Sequence, residues 1–330
     1  MPETILVIGE QQAGRLSRVT LETVAAARSL AARTGWAVEA ALLGDHVGPA
    51  AQELAQTGVA TVYALQSPQL IAYTADAYIA ALRPWITAKQ PKLILLPHTY
   101  QVRDFAPRLA LALETTLIAD VTGFVYDGER PLFTRQMFQG KFAADVAFSD
   151  AARPWIVTLQ NGAFRADTEN LAPALVETVS AEIPDDAIRI HPHEVFREAK
   201  QAVDLSQSEV IVAVGRGIKE QKNLEIAEKL AAALGADIAA SRTICDAGWL
   251  PLERQIGSSG QSVSPKLYLA LGISGAIQHI VGMKGARAIL AINKDAEAPI
   301  FEIADIGAVA DLFEVVPALT EEIQKLRAGA

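Results

Sequence analysis

Polar and glycine-rich segments that could hold a phosphorylated ligand are concentrated in the last third of the chain. The first is the tripeptide Gly-Arg-Gly at 215–217, directly after an apolar run. Glycines at a strand end let the backbone approach a phosphate, and the N-terminus of a following helix favours the negative charge. A dinucleotide fingerprint requires a third glycine at position 220, where this chain has glutamate. The tripeptide therefore predicts an anion-binding turn or, equally well, a simple strand-to-loop turn.

Three more segments carry the donors that a large anionic ligand needs. Gly257–Gly260 supplies backbone amides and two hydroxyls, and Asn293–Asp295 supplies an amide at the end of a predicted strand. Between them, Leu267–His279 predicts a strand, a glycine-flanked turn and a helix that begins near Ser274. Taken singly, each segment is also typical of an ordinary loop or capped turn. Together they follow the carboxyl ends of predicted strands, which favours one site for a large cofactor that supplies the chemistry.

The same residues argue against chemistry by the protein's own side chains. Ser274 lacks the Gly-x-Ser-x-Gly spacing of a hydrolase nucleophile elbow, because a glycine follows it immediately. None of the five histidines stands in a recognisable motif with a catalytic partner. Cys245 is the only cysteine, so no multi-cysteine metal centre can form. We therefore predict no catalytic residue and no metal site; labelling of Ser274 by a fluorophosphonate would revive the serine hydrolase alternative.

The elements that would position these segments follow an α/β pattern. Short apolar runs with little polar alternation suit strands buried on both faces, and their alternation with helices implies a parallel sheet. In the first half, the predicted strands are 4–8, 37–43, 61–65 and 92–97, and the predicted helices are 17–33, 48–56 and 72–89. A second α/β pattern has predicted strands at 209–214, 236–240, 267–271 and 288–292, with helices at 222–234, 275–281 and 318–327.

The rhythm changes between the two patterns. Four strand-like runs at 121–126, 132–138, 143–148 and 155–159 predict mostly antiparallel additions to the first sheet. Residues 161–208 contain several prolines and little periodicity, which is typical of a crossing between domains. The predicted fold class is therefore α/β with two domains: a parallel-sheet domain with added antiparallel strands at 1–204, and a second α/β domain at 205–330.

Composition excludes several other classes of protein. The 330 residues include 29 Lys plus Arg against 38 Asp plus Glu, and the net charge of −9 argues against a nucleic-acid partner. No apolar run reaches the ~18–20 residues of a membrane span, and no basic leader precedes the first apolar run. We expect a cytoplasmic protein without membrane insertion.

The segment from Gly215 to Phe313 resembles the electron-transfer flavoprotein alpha subunit. The most specific part is the run Leu-Tyr-Leu-Ala-Leu-Gly-Ile-Ser-Gly-Ala-Ile-Gln-His at 267–279, with Ala-Ile-Asn-Lys-Asp downstream at 291–295. The other matching motifs are Val-Gly-Arg-Gly at 214–217, Ser-Arg at 241–242, Asp-Ala-Gly at 246–248, Gln-Ile-Gly at 255–257, Ala-Pro-Ile-Phe at 298–301 and Val-Ala-Asp-Leu-Phe at 309–313. The first half agrees with the family only in length and α/β rhythm.

The resemblance implies an electron carrier with no substrate-turnover site of its own. The second domain would bind FAD, and the chain would pair with a beta subunit that holds AMP. The pair would take electrons from acyl-CoA dehydrogenases, as in fatty acid β-oxidation, or related flavoenzymes, and pass them to a quinone oxidoreductase or another acceptor. One alternative is an electron-bifurcating type that uses NADH and holds a second FAD in the beta subunit. A non-redox adenine-nucleotide-binding protein is the other, since the first α/β pattern is shared with such binders.

The resemblance also assigns roles to individual residues. It implies that Arg242 lies over the flavin ring, that the Ser259 hydroxyl lies near N5 and that His279 lies near O2; these three would tune the flavin. Relatives commonly have Gly-Gln-Thr-Gly where this chain has Gly257–Gly260, so Ser259 keeps a hydroxyl and Ser258 lacks the amide. The residues implied to bind FAD are Arg216, Ser241, Arg242, Gln255, Ile256, Gly257, Ser258, Ser259, Ser274, Gly275, Ala276, Ile277, Gln278, His279, Asn293, Asp311 and Leu312.

Overall fold

The chain forms two compact units, Met1–Val195 and Phe196–Ala330. The structure is a computed structural model that describes residues 3–12, 14–128, 130–138, 141–149, 154–166, 171–192, 205 and 208–328. The predicted boundary between residues 204 and 205 borders the stretch 193–204, which lies outside the described residues, and it stays a prediction.

The first unit is built on a nine-stranded sheet. The described strands of this unit, nine in the large sheet and two in a small one, are β1 (Thr4–Ile8), β2 (Gln11–Gln12), β3 (Arg15–Leu16), β4 (Ala37–Gly44), β5 (Thr61–Gln66), β6 (Leu93–Pro97), β7 (Leu117–Tyr126), β8 (Pro131–Met137), β9 (Phe142–Val146), β10 (Trp155–Leu159) and β11 (Leu175–Ser180). The sheet order is β11-β5-β4-β1-β6-β10-β7-β8-β9, while β2 and β3 pair only with each other. Pairing is parallel from β11 to β7 and antiparallel from β7 to β9. The prediction of a parallel sheet with antiparallel additions is confirmed.

Two strands differ from the sequence-based expectation. The run 155–159, expected among the antiparallel additions, is β10, which pairs in parallel with both β6 and β7. All five of its residues are buried, as suits a strand covered on both faces. The region 161–208, predicted as a crossing, contains β11 at the edge of the sheet, where only two of its six residues are even partly buried.

Helices cover both faces of this sheet. They are α1 (Arg18–Thr34), α2 (Gly48–Leu54), α3 (Ala75–Lys89) and α4 (Tyr100–Ala112). Successive side chains of a strand point to opposite faces, so Val7 packs with α1 and α2 residues while Leu6 packs with residues of α3 and α4. Alternate side chains of β1 therefore belong to two separate apolar cores, one on each face of the sheet.

A buried carboxylate fixes the segment after β11 to these helices. Asp76, in the first turn of α3, is 5% exposed and accepts hydrogen bonds from the guanidinium of Arg108 on α4. The backbone N–H of Arg189 donates to its Oδ2 at 3.0 Å, and the Arg189 guanidinium lies 3.2 Å from its Oδ1. These donors, Arg108 first, hold the pKa of Asp76 well below its usual range.

We expect Asp76→Asn to destabilise the first unit by about 3 kcal/mol at pH 7, because it removes the charge that two arginines share. The depressed pKa means that the carboxylate's contribution is present above its unfolded-state pKa and is lost as the pH falls through the folded-state value. Denaturant unfolding at pH 7 and pH 3 measures this: the difference between wild type and variant shrinks at pH 3. Asp186→Asn, at an exposed carboxylate, is the control. Equal stability of Asp76→Asn and wild type at pH 7 would contradict the assignment.

The second unit is a smaller parallel sheet. Its strands are β12 (Val210–Val214), β13 (Asp237–Ala240), β14 (Leu267–Leu271), β15 (Ile289–Asn293) and β16 (Ile306–Val309), and its helices are α5 (Leu224–Leu234), α6 (Arg242–Asp246), α7 (Ile277–Met283) and α8 (Leu312–Ala328). The order is β13-β12-β14-β15-β16 and every pairing is parallel. The chain therefore changes direction across the sheet between β12 and β14. In open parallel sheets, ligands bind beyond the carboxyl ends of the strands at this point.

Candidate functional site

The loops after all five strands of the second sheet carry residues that the sequence singled out. Because the strands are parallel, these loops share one edge of the sheet, which we call the carboxyl edge. The loops contain Gly215–Gly217 after β12, Ser241 after β13, Ser274 and Gly275 after β14, Lys294 and Asp295 after β15, and Asp311 after β16, while Arg242 and Leu312 are the first residues of the helices that follow β13 and β16.

Glycines bring the loops after β12 and β14 into backbone contact. The N–H of Gly217 donates to the Gly272 carbonyl at 3.0 Å. A Cβ on Gly217 would lie 2.6 Å from the Gly272 Cα, and one on Gly215 would lie 2.5 Å from the Gly272 carbonyl oxygen. Gly272 itself has a φ of +63°. The tripeptide at 215–217 thus closes against the neighbouring loop exactly where the strand order reverses, and sequence reasoning missed Gly272 as its counterpart.

Gly275 is the tightest point of the edge. Its φ is +86°, and a Cβ there would lie 2.6 Å from the Ile300 Cα and closer still to the Ile300 nitrogen. The Ile300 N–H donates to the Ser274 carbonyl at 3.1 Å. The helix after this turn starts later than the sequence predicts, because α7 begins at Ile277 rather than at Gly275. Ser274 and the residues 276–278 are exposed at the edge.

The Gly257–Gly260 loop lies between the end of β13 and α7. The Ile256 N–H donates to the Ala240 carbonyl at 2.9 Å, and the Ser258 N–H donates to the Gln278 carbonyl at 2.7 Å. The Ser259 hydroxyl is exposed and accepts a 2.9 Å hydrogen bond from Nε2 of the buried Gln255. With its oxygen held by Gln255, the Ser259 hydroxyl keeps its own proton available for an acceptor.

Two arginines supply positive charge at this edge. Arg216 is exposed, and no ion-pair partner for it occurs in the part of the chain that the structure describes. The Arg242 side chain is 71% exposed, and its Nε lies 3.2 Å from the Asp246 carboxylate one turn along α6. Ser241 precedes α6, and its hydroxyl lies 3.0 Å from that of Thr243. Exposed ion pairs of this kind contribute little to stability, so Arg242 remains free to rearrange around a ligand.

His279 faces the protein interior. It is 6% exposed, and its Nε2 lies 2.8 Å from the hydroxyl of Tyr268 on β14. Its Nδ1 is buried and has no hydrogen-bond partner in the part of the chain that the structure describes. Burial lowers the pKa of His279 to about 4, against a smaller opposing effect of the Ile256 backbone. The imidazole is therefore neutral at pH 7.

Three of the predicted residues have structural partners of their own. Asn293 donates from Nδ2 to the Ile273 carbonyl at 2.9 Å and so ties the loop after β15 to the loop after β14. Asp311 accepts a hydrogen bond from the Phe313 N–H at 3.0 Å and forms an ion pair with Lys294 at 2.6 Å. Both contacts lower the pKa of Asp311, and Lys294 has the larger effect. The side chain of Leu312 packs in the apolar core of the second unit.

The residues present fit a long phosphorylated cofactor. The tight approach of Gly217 to Gly272 leaves no room for side chains, so bare backbone borders the crevice. Hydroxyls and backbone of the Gly257–Gly260 loop and the cations Arg216 and Arg242 lie along the same edge. Among the described residues the buried Nδ1 of His279 has no hydrogen-bond partner, as expected of a donor whose acceptor belongs to a ligand. The described residues contain no group of histidine, cysteine or carboxylate ligands that could hold a metal ion.

Comparison with known proteins decides the family. Residues 204–284 match the model of the electron transfer flavoprotein FAD-binding domain, and residues 5–185 match the electron transfer flavoprotein domain. The chain belongs to the electron transfer flavoprotein family. It is 39% identical over 328 residues to the electron transfer flavoprotein subunit alpha of Bacillus subtilis, with 99% of each chain covered. The subunit alpha of Thermoanaerobacterium thermosaccharolyticum is 40% identical over 325 residues, with 98% of each chain covered.

The family membership confirms the central predictions. This electron transfer flavoprotein chain is an alpha subunit and an electron carrier, its second unit is an FAD-binding domain, and a beta subunit is its partner. A further relative is the lactate dehydrogenase (NAD(+),ferredoxin) subunit LctC of Acetobacterium woodii, 37% identical over 313 residues, covering 94% of this chain and 74% of that one. No helix within the described residues is both long and apolar enough to cross a membrane.

Sequence reasoning missed several contacts that hold the site from behind. Gly272 and Lys294 lie in segments that the sequence singled out, but their contacts with Gly217 and Asp311 were not predicted. The contact of Tyr268 with His279 was not predicted either. For Tyr268 a signal was present: a tyrosine in an otherwise apolar, fully buried strand must find a partner for its hydroxyl.

Proposed function

We propose that the alpha subunit accepts electrons from acyl-CoA dehydrogenases or related flavoenzymes, and that its complex passes them to a quinone oxidoreductase or a similar acceptor. FAD supplies the electron-transfer chemistry when it is bound. Membership of the electron transfer flavoprotein family is the observation that carries the proposal, and the predicted FAD contacts around the carboxyl edge, across the point where the strand order reverses, support an FAD site there. A cytoplasmic location stays a prediction.

We propose that the chain's own residues divide the work along the edge. The backbone around Gly217 and Gly275 holds the pyrophosphate, with Arg216 as its counter-charge. Arg242 places a permanent cation at the flavin, where it favours added negative charge. Ser259 and His279 each offer one hydrogen-bond donor, and neither needs to transfer a proton. Asn293 and Asp311 reach the adenosine end while they fix the loops after β15 and β16.

The test is anaerobic reduction of the FAD-loaded complex with its beta subunit. A catalytic amount of an acyl-CoA dehydrogenase together with its acyl-CoA should bleach the flavin absorbance, and the acyl-CoA alone should not. A decylubiquinone-type acceptor with its oxidoreductase should then restore the absorbance. Bleaching by neither this donor nor any other flavoprotein dehydrogenase would contradict the proposal.

A bifurcating complex is the second candidate. The name of the relative from Acetobacterium woodii includes both NAD(+) and ferredoxin, which favours this alternative. It predicts two flavins per heterodimer and direct reduction by NADH, whereas the first candidate predicts one flavin and AMP in the beta subunit. A flavin and AMP count on the purified heterodimer separates the two.

The non-redox nucleotide-binding alternative is disfavoured by the first unit. Strand order there reverses between β1 and β6, so a nucleotide would be expected beyond these two strands. Glu10 follows β1 at this position, and its carboxylate accepts a hydrogen bond from the Thr99 hydroxyl after β6. The same hydroxyl accepts the Val102 N–H at 3.1 Å at the start of α4. The carboxylate of Glu10 at this point would repel the phosphate of a bound nucleotide.

We expect Glu10→Gln to stabilise the first unit by ~2 kcal/mol at pH 8, and by much less at pH 5, where only the unfolded state has begun to ionise. Burial raises the pKa of Glu10 to about 7, against a smaller opposing effect of Thr99. The folded state therefore keeps its proton longer than the unfolded state, and stability present at low pH is lost as the pH rises through 7. Thermal unfolding at both pH values, with Glu53→Gln on the exposed face of α2 as control, measures the difference. An equal shift at pH 5 and pH 8 would rule out the ionisation.

A further inference from the structure

A buried tyrosine and a buried histidine form a pair behind the carboxyl edge. Tyr268 on β14 is 0% exposed and His279 on α7 is 6% exposed, with 2.8 Å between the hydroxyl and Nε2. Within the described residues the hydroxyl has no other hydrogen-bond partner. The other ring nitrogen, Nδ1, is buried and has no hydrogen-bond partner within the described residues.

The position of the ring proton follows from these contacts. If Nε2 carried the proton, the Tyr268 hydroxyl would accept it, and its own hydrogen would be buried without an acceptor. Nδ1 would then be a buried acceptor with no donor within the described residues. If the Tyr268 hydroxyl instead donates to Nε2, both problems disappear: the phenol is satisfied and the proton sits on Nδ1.

We propose that Tyr268 is a positioning residue that fixes His279 in the neutral form with its proton on Nδ1, so that this N–H is the donor His279 offers to the flavin. The inference deepens the proposed function and rests on it, because the flavin is the acceptor. Burial keeps both groups in the required state: it lowers the pKa of His279 and raises that of Tyr268 well above its usual value. Tyr268 does not touch the cofactor and acts only through the imidazole.

The test is nitrogen-15 NMR of histidine-labelled complex, in the FAD-loaded and the FAD-free form, for wild type and Tyr268→Phe. In wild type at pH 7 we expect a protonated Nδ1 and an unprotonated Nε2 on His279. In Tyr268→Phe the ring loses its fixed donor, and we expect a mixture of both tautomers. The dissociation constant for oxidised FAD should rise about fivefold, as for one lost neutral hydrogen bond. The affinity for reduced FAD should fall by a further factor of about ten, which lowers the two-electron potential of the bound flavin by about 30 mV.

Tyr63→Phe is the matched control, because it removes the hydroxyl of a buried tyrosine in the first unit. It should change neither the His279 spectrum nor the potential. A wild-type spectrum with the proton on Nε2, or one tautomer and an unchanged potential in Tyr268→Phe, would overturn the inference. A complex that holds no FAD would overturn the proposed function, and with it the flavin as acceptor. The spectrum of FAD-free protein still reports on the Tyr268–His279 pair, so the two failures are distinguishable.

Discussion

Replacing Arg242 by alanine is expected to lower the first reduction potential of the bound FAD by ~50–130 mV. A cation next to the ring stabilises the charge that reduction adds and has little to stabilise in the oxidised ring. One charge-assisted contact of ~1–3 kcal/mol corresponds to this range for one electron. Arg242 lies at the carboxyl edge, where its only described ion-pair partner is the exposed Asp246. Potentiometry of the FAD-loaded complex measures the shift.

Two further variants make the Arg242 result specific. Arg287→Ala removes an exposed arginine that precedes β15 at the opposite edge of the same sheet, and it should leave the potential unchanged. Asp246→Asn removes the partner of Arg242 and should raise the potential or leave it unchanged. An unaltered potential in an Arg242→Ala complex that still binds FAD would remove Arg242 from this role.

Gly275→Ala is expected to destabilise the second unit by about 2–5 kcal/mol and to yield a complex with most of its FAD missing. A side chain at a φ of +86° is strained, and the added Cβ would lie 2.6 Å from the Ile300 Cα. Relief of this clash must move either the 298–301 segment or the Ser274 peptide at the edge. Flavin absorbance per mole of purified complex and denaturant unfolding measure the two effects.

Gly248→Ala separates backbone strain from the clash. Gly248 has a positive φ of +70°, as Gly275 does, but no atom of the described residues lies within 4 Å of a Cβ built on it. Its replacement should cost about 1 kcal/mol from the left-handed conformation alone and should leave FAD content intact. Equal losses in Gly275→Ala and Gly248→Ala would show that the close approach to Ile300 is unimportant.

Elements with one strong pattern were predictable from the sequence. Strands such as β1 and β14 are short, apolar and buried on both faces, and their predicted bounds match the structure. Their parallel pairing followed from the helices between them. The carboxyl edge was predictable for the same reason, because the polar segments all followed predicted strands. The family resemblance, and not the spacing, supplied the FAD and the roles of single residues.

What the sequence did not reveal depends on contacts between distant segments. Strand β10 is buried throughout and has no charged residue, unlike β8 and β9, but its sequence does not specify that it inserts between β6 and β7 and pairs in parallel with both. β11 is an exposed edge strand, so hydrophobic periodicity is weak there. The pairing of Asn293 with Ile273 and of Tyr268 with His279 joins residues 20 and 11 positions apart, which local pattern does not specify.

The central claim is that the carboxyl edge of the second sheet holds the FAD of this alpha subunit. The most direct measurement is the visible spectrum of the complex co-purified with its beta subunit, followed by titration of the cofactor-free complex with FAD. The account predicts a yellow complex that bleaches on reduction, regains its colour with FAD, and loses FAD on Gly275→Ala but not on Gly248→Ala. A colourless complex that FAD cannot reconstitute would contradict it.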